Sequence, residues 1–70
     1  MKNRLKIERA ILNLTQEELA EEIGVSRQTI GSIEKNRYIP STVLSLRLSE
    51  VFGKPINDFF ELDEDEKANA

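Results

Sequence analysis

Apolar residues between positions 16 and 35 recur at the spacing of two short helices. Leu19, Ala20 and Ile23 stand at i, i+1 and i+4, so they share one face of a helix. Gly24 comes next, and glycine readily adopts the left-handed conformation that ends a helix and opens a sharp turn. The pattern therefore predicts a helix that stops at this glycine.

The second helix follows after a short turn. Ser26 is a good N-cap, and Ile30 and Ile33 (i, i+3) would face the core. The small side chain of Ala20 lets the two helices cross closely. This is the spacing of a helix-turn-helix, whose second helix enters the DNA major groove. Burial of the isoleucines turns a set of mostly polar residues outward: Arg27, Gln28, Gly31, Ser32 and Lys35.

The run QEELAEEIGVSRQTIGSIE (residues 16–34), with YIPS at residues 38–41, resembles the phage repressor/Cro-type, or xenobiotic-response-element-type, family of transcription regulators. The resemblance covers about residues 4–60 and is to short members that carry little beyond the DNA-binding domain. It implies an all-α, five-helix, lambda-repressor-like fold with the helix-turn-helix at about residues 16–35. A plain helical hairpin would explain the apolar positions but not the outward Arg-Gln-Thr cluster.

Three further helices are predicted around this motif. The first spans residues 3–13, which lack glycine and proline, and the fourth runs from residue 41 to about residue 52. Gly53 and Pro55 end the fourth helix. Residues 56–60 are interpreted as a short fifth helix, and residues 1–62 as one helix-turn-helix domain.

An ion pair between two of these helices is also predicted. Glu34 lies at the C-terminal end of the recognition helix, where the helix dipole disfavours an anion. Arg9 on the first helix is the candidate cation, and the resembled family pairs an arginine and a glutamate at matching positions. We expect a bidentate, structural Arg9–Glu34 bridge. Glu8 stands where the family usually has an apolar residue, so this helix is expected to be slightly rotated.

The net charge of −3 is unevenly distributed. Residues 1–57 hold nine Lys/Arg and seven Asp/Glu, whereas residues 58–70 hold one Lys and six Asp/Glu. The body is therefore mildly basic, as DNA binding favours. Residues 63–70 are predicted to be an acidic, disordered tail. An alternative is that this tail mimics DNA and shields the basic surface.

Reading DNA requires groups that hold phosphates and groups that contact base edges. Arg27, Gln28 and Ser32, with Thr29 at the margin, are the predicted base-reading residues. Arginine can pair with guanine and glutamine with adenine, although Arg27 could equally bind a phosphate. The family's backbone-contact positions are polar here and imply phosphate contacts by Thr15, Gln16, Lys35, Asn36, Arg37 and Tyr38.

One recognition helix covers too few base pairs for useful selectivity. We expect a homodimer that places two such helices in successive major grooves, about 34–36 Å apart, on a palindromic operator. Phe60 and Leu62 have no obvious place in the core and are the leading candidates for the dimer interface, together with the fourth and fifth helices. Residues 59–62 could instead pair as a short strand across the dimer.

Other functions are less compatible with the residues present. The chain has no histidine, cysteine or glycine-rich phosphate loop, so no enzyme activity, metal or cofactor is predicted. No apolar run approaches about 18 residues, and the absence of cysteine fits a cytoplasmic protein. RNA binding is disfavoured by the lack of an aromatic stacking platform. The serious rival is an antitoxin-like module that binds an unidentified protein and DNA only secondarily. The resemblance implies a regulator, most commonly a repressor.

Overall fold

Four α-helices hold half of the residues in the computed structural model, which describes residues 1–68. Their connections are short, and the second and third helices pack closely against each other. The helix-turn-helix predicted at residues 16–35 is present as the second and third of them. The bounds are α1 Leu5–Ile11, α2 Gln16–Ile23, α3 Arg27–Glu34 and α4 Thr42–Phe52.

The predicted fifth helix is a single 3-10 turn, Ile56–Asp58. The chain then extends into strand β2 (Phe60–Glu61), which pairs antiparallel with strand β1 (Lys2–Asn3). The five-helix count is therefore not what the structure has, and the all-α expectation missed this small sheet. The physical reason is that residues 60 and 61 pair with Lys2–Asn3 at the other end of the chain, a partner that no local pattern shows. In this arrangement the adjacent Phe59 and Phe60 are both buried.

The ends of α2 follow the local prediction. Thr15 Oγ1 accepts from the amide of Glu18 at 3.0 Å, and the Glu18 carboxylate accepts from the amide of Thr15 at 2.9 Å. This reciprocal capping box satisfies two amides that have no partner inside the helix. Gly24 ends α2 in the left-handed conformation (φ 76°), as predicted. Ser26 caps α3 by accepting from the amide of Thr29 at 3.2 Å.

The core contains apolar side chains from α1, α2, α3, α4 and the C-terminal segment. Phe52 and Phe59 meet edge to face with ring centroids 5.0 Å apart, and Phe59 and Phe60 are 5.1 Å apart. Burial of these residues supplies the main favourable free energy of folding. The buried set is Leu5, Leu19, Ala20, Ile23, Ile30, Ile33, Leu48, Phe52, Phe59 and Phe60.

Glu8 is the charged residue buried beside this core, with 4% of its surface exposed. Its Oε1 atom lies 2.8 Å from Nζ of Lys54, which follows α4. A buried carboxylate is tolerated when it is paired with a cation. The ion pair therefore explains how α1 carries an acidic residue at a position that is usually apolar.

The acidic segment after residue 62 folds back on the start of the chain. Glu64–Glu66 form a 3-10 turn, and the amino group of Met1 lies 2.7 Å from Asp63 Oδ2 and 3.0 Å from Glu66 Oε1. Disorder of residues 63–70 stays a prediction, and the last two of these residues lie outside the described residues. The structure shows the contact of Asp63 and Glu66 with Met1. The cause is that opposite charges from the two ends of the chain meet beside the β1–β2 pair.

Candidate nucleic-acid interface

The exposed face of α3 carries the residues predicted to read bases. Arg27 and Gln28 are exposed, while Thr29 and Ser32 are half-buried. Two shallow depressions adjoin on this face, and Gln28, Ser32 and Arg37 line both of them. The fold thus brings two base-reading candidates, Gln28 and Ser32, and one phosphate candidate, Arg37, onto a single concave surface.

The predicted Arg9–Glu34 ion pair is present behind this surface. Arg9 Nε lies 2.9 Å from Glu34 Oε2, and its second terminal nitrogen donates to Glu34 Oε1 at 3.3 Å. Arg9 also donates to the carbonyl of Leu14 at 2.9 Å. The guanidinium therefore ties α1 to the end of α3 and to the loop that precedes α2.

Gln16 extends this ion pair to the front of the recognition helix. Its Nε2 donates to Glu34 Oε1 at 3.1 Å, and its Oε1 accepts from Arg27 at 3.3 Å. The Gln16 side chain, predicted to bind a phosphate, is therefore engaged inside the protein. Because the capping box occupies the amides of Thr15 and Glu18, the first-turn amides of Gln16 and Glu17 are the donors that α2 can offer to an anion.

The Thr29 hydroxyl is also engaged locally. Its Oγ1 atom lies 3.0 Å from Oγ of Ser26, the residue that caps α3. This contact holds the side chain at the start of the helix, so Arg27 and Gln28 are the more accessible of the residues predicted to contact bases.

The segment after α3 carries the remaining phosphate candidates. Asn36 adopts the left-handed conformation (φ 60°); its amide donates to Ile33 O at 3.0 Å, and the amide of Arg37 donates to Ser32 O at 2.9 Å. These two bonds form a Schellman motif, which ends the helix and sets the exit direction of the chain. The side chains on this turn are exposed: Lys35, Asn36, Arg37 and Tyr38.

A helix-turn-helix family profile matches residues 5–59. The chain belongs to the Cro/C1-type helix-turn-helix family. It is therefore a DNA-binding transcriptional regulator of the helix-turn-helix type. The resemblance seen in the residue pattern is confirmed.

Curated relatives of similar length support the same assignment. The chain is 53% identical over 66 residues to an HTH-type transcriptional regulator of Methanocaldococcus jannaschii. That alignment covers 94% of this chain and 100% of the relative. It is 50% identical to an HTH-type transcriptional regulator of Methanothermobacter thermautotrophicus, and the alignment covers 93% of this chain and 96% of the relative. It is 43% identical to YgzD, an HTH-type transcriptional regulator of Bacillus subtilis, with coverage of 93% and 98%.

One assignment in this helix-turn-helix regulator needs correction. Phe60 was proposed for a dimer interface because it had no obvious place in the core, but only 8% of it is exposed and it packs against Phe59. Strand pairing of residues 60–61 within the chain brings this ring inward. Leu62 is 50% exposed and borders a groove with Ile56 on its other side.

Sequence reasoning missed Asn3 as a residue that contacts the C-terminal end of α3. Its Nδ2 donates to Ile33 O and to Asn36 Oδ1, at the end of α3. No local pattern could reveal this contact, because it joins residues about thirty positions apart through a strand that was predicted as helix.

Two other features of this regulator bear on its function. Across residues 1–68, no group of three or more acidic, histidine or cysteine side chains is arranged to hold a metal ion. In the same described range, no helix is both long and apolar enough to cross a membrane.

Proposed function

We propose that this regulator represses transcription by binding a palindromic operator as a homodimer, with the exposed face of α3 in the major groove. The observation that carries the proposal is the shared surface of Gln28, Ser32 and Arg37. A surface that reads DNA needs base-contacting and phosphate-contacting groups side by side, and this one combines them.

The proposed roles differ along the surface. Gln28 and Arg27 project from the first turn of α3 and are exposed, so they reach the base edges, where glutamine pairs with adenine and arginine with guanine. Ser32 lies one turn further along and makes a shorter-range contact. The engagement of Arg27 with Gln16 at 3.3 Å is a long hydrogen bond, which a guanine or phosphate can replace.

Phosphates are held at both ends of this surface. On one side, the first-turn amides of α2 and its dipole favour an anion. On the other side, Lys35, Asn36, Arg37 and Tyr38 form an exposed, cationic turn. The acidic side chains of α2, by contrast, are exposed to solvent: Glu17, Glu21 and Glu22. Because these carboxylates would repel phosphates, only the N-terminal end of α2 approaches the DNA.

The homodimer is proposed to use Leu62 and the adjoining groove, which Ile56 also lines. Half of Leu62 is exposed in a chain that has few other apolar residues near its C-terminal end. Light scattering at micromolar concentration tests this: wild type is expected to be dimeric and Leu62→Glu monomeric. Ile11→Glu, at an exposed residue on α1, is the control. A monomeric wild type would remove the dimer from the proposal.

The test of DNA reading is selection of bound sites from random duplex DNA, with wild type and Gln28→Ala in parallel. Wild type should enrich two inverted half-sites about one helical turn apart, and Gln28→Ala should lose the preference at one base pair per half-site. Lys6→Ala, at an exposed residue on α1, is the control. An unchanged base preference in Gln28→Ala would show that Gln28 does not read bases. No enrichment by wild type would favour a protein-interaction module.

A further inference from the structure

The side chain of Asn3 joins three parts of the fold through one carboxamide. Its Nδ2 donates to Ile33 O at 2.9 Å and to Asn36 Oδ1 at 2.8 Å, and its Oδ1 accepts from the amide of Leu5 at 3.1 Å. Only one orientation of the amide makes all three bonds, since two partners are acceptors and the third is a donor. The side chain is therefore held in a single arrangement.

Both acceptors lie at the end of the recognition helix. Ile33 O is one of the last carbonyls of α3, and Asn36 is the left-handed residue of the Schellman motif. A left-handed asparagine is less favourable than glycine at such a position, so a hydrogen bond to its side chain stabilises the turn. The direction in which Lys35 and Arg37 leave the helix depends on this turn.

Asn3 is itself fixed by the β1–β2 pair. It lies opposite Phe60 in the register, and the amide of the next residue, Arg4, donates to Phe59 O at 2.8 Å. Because Phe59 and Phe60 are buried in the core, the strand that carries Asn3 is anchored to the rigid interior of the protein. The Asn3 side chain thus links the turn after α3 to the core.

We propose that Asn3 is a positioning residue of the DNA interface. It holds the segment of residues 35–38 in the geometry that meets a phosphate, and without it the segment loses one such contact as well as its fixed conformation. Fixing a binding segment in advance raises affinity by lowering the entropy lost on binding. This inference rests on the proposed phosphate contacts of that segment.

Two variants separate the roles of this carboxamide. Asn3→Ala removes all three hydrogen bonds. Asn3→Asp retains an acceptor for the Leu5 amide but offers no donor to Ile33 or Asn36. It therefore keeps the contact at the start of α1, and it replaces the alanine variant in the test if that variant does not fold. Ile11→Asp adds the same charge at an exposed residue on α1, and it is the matched control.

Binding is measured to a mixed-sequence duplex of about 30 base pairs, which spans two adjacent major grooves, over a range of salt concentrations at which circular dichroism shows each variant folded. Both Asn3 variants are expected to bind about tenfold more weakly, the scale of one lost charge-assisted hydrogen bond. The slope of log K against log salt should fall by about 0.9, which corresponds to one lost phosphate contact. Ile11→Asp should retain the wild-type slope.

The salt slope distinguishes positioning from stability, because a loss of folding free energy alone does not alter the slope of the folded protein. Arg37→Ala reports on the proposed interface itself. Folded Asn3 variants with wild-type affinity and slope, beside a weakened Arg37→Ala, would overturn the role of Asn3 alone. Wild-type binding by Arg37→Ala and Lys35→Ala as well would overturn the proposed phosphate contacts, and the role of Asn3 with them.

Discussion

Replacing Arg9 by methionine tests the ion pair that joins α1 to the recognition helix. Methionine keeps much of the aliphatic length but removes the donors to Glu34 and to the Leu14 carbonyl. Only 15% of the Arg9 side chain and 9% of the Glu34 side chain are exposed. The variant therefore leaves a carboxylate largely out of water, at the negative end of a helix dipole, without its cation.

The expected loss is large for a chain of 70 residues. Removing one partner of a fully buried pair costs about 3–5 kcal/mol. Residual exposure and the bond from Gln16 to Glu34 lower the expected cost to about 2–4 kcal/mol. A domain of this length has a total stability of about 4–10 kcal/mol. At about 4–8 °C per kcal/mol, the melting temperature should fall by about 8–32 °C.

Thermal and urea unfolding followed by circular dichroism measure this effect. Lys6→Met, at an exposed residue of the same helix, is the control and should change stability by less than about 0.5 kcal/mol. The double variant Arg9→Met/Glu34→Leu should recover most of the loss, because it no longer strands a charge. An Arg9→Met protein that melts with the Lys6→Met control would refute the structural role of the ion pair.

Three further predictions concern other contacts. Lys54→Met should destabilise the fold by about 1–3 kcal/mol in urea unfolding, since the buried Glu8 loses its cation, and Glu8→Leu should rescue it. Hydrogen bonds from the backbone amide and the hydroxyl of Thr15, the N-cap of α2, hold the pKa of Glu18 below its ordinary value of 4.5. Its contribution to stability is thus present above that pH and lost as pH falls through the folded-state pKa; Glu18→Gln should weaken this acid dependence in urea titrations at several pH values. Gly31→Ala should raise stability by about 0.5–1 kcal/mol in thermal unfolding, because the added Cβ would meet only Gln16 Nε2 at 3.8 Å; a destabilised variant would show that the helix needs glycine there.

Local chemistry determined the helix-turn-helix from the residues alone. A capping box joins residues three apart, a C-terminal glycine acts within one turn, and an i, i+3 pair of isoleucines defines one buried face. All these interactions span a few positions, so Thr15, Gly24 and Ser26 behave in the structure as their types and spacing predicted. The Arg9–Glu34 pair joins distant residues, and there the prediction also used the resemblance to the family.

The C-terminal segment required the tertiary structure. Residues 56–60 satisfy a helical pattern as well as an extended one, and only pairing with Lys2–Asn3 decides between them. That pairing buries Phe60, which local reasoning had assigned to a dimer interface, and it places Asn3 against Asn36. Contacts between residues thirty to sixty positions apart leave no periodic signal in the chain, because their free energy arises only once the core has brought the segments together. Helix α3 was therefore determined by the sequence near it, whereas the contacts that hold its C-terminal end were decided by the tertiary structure.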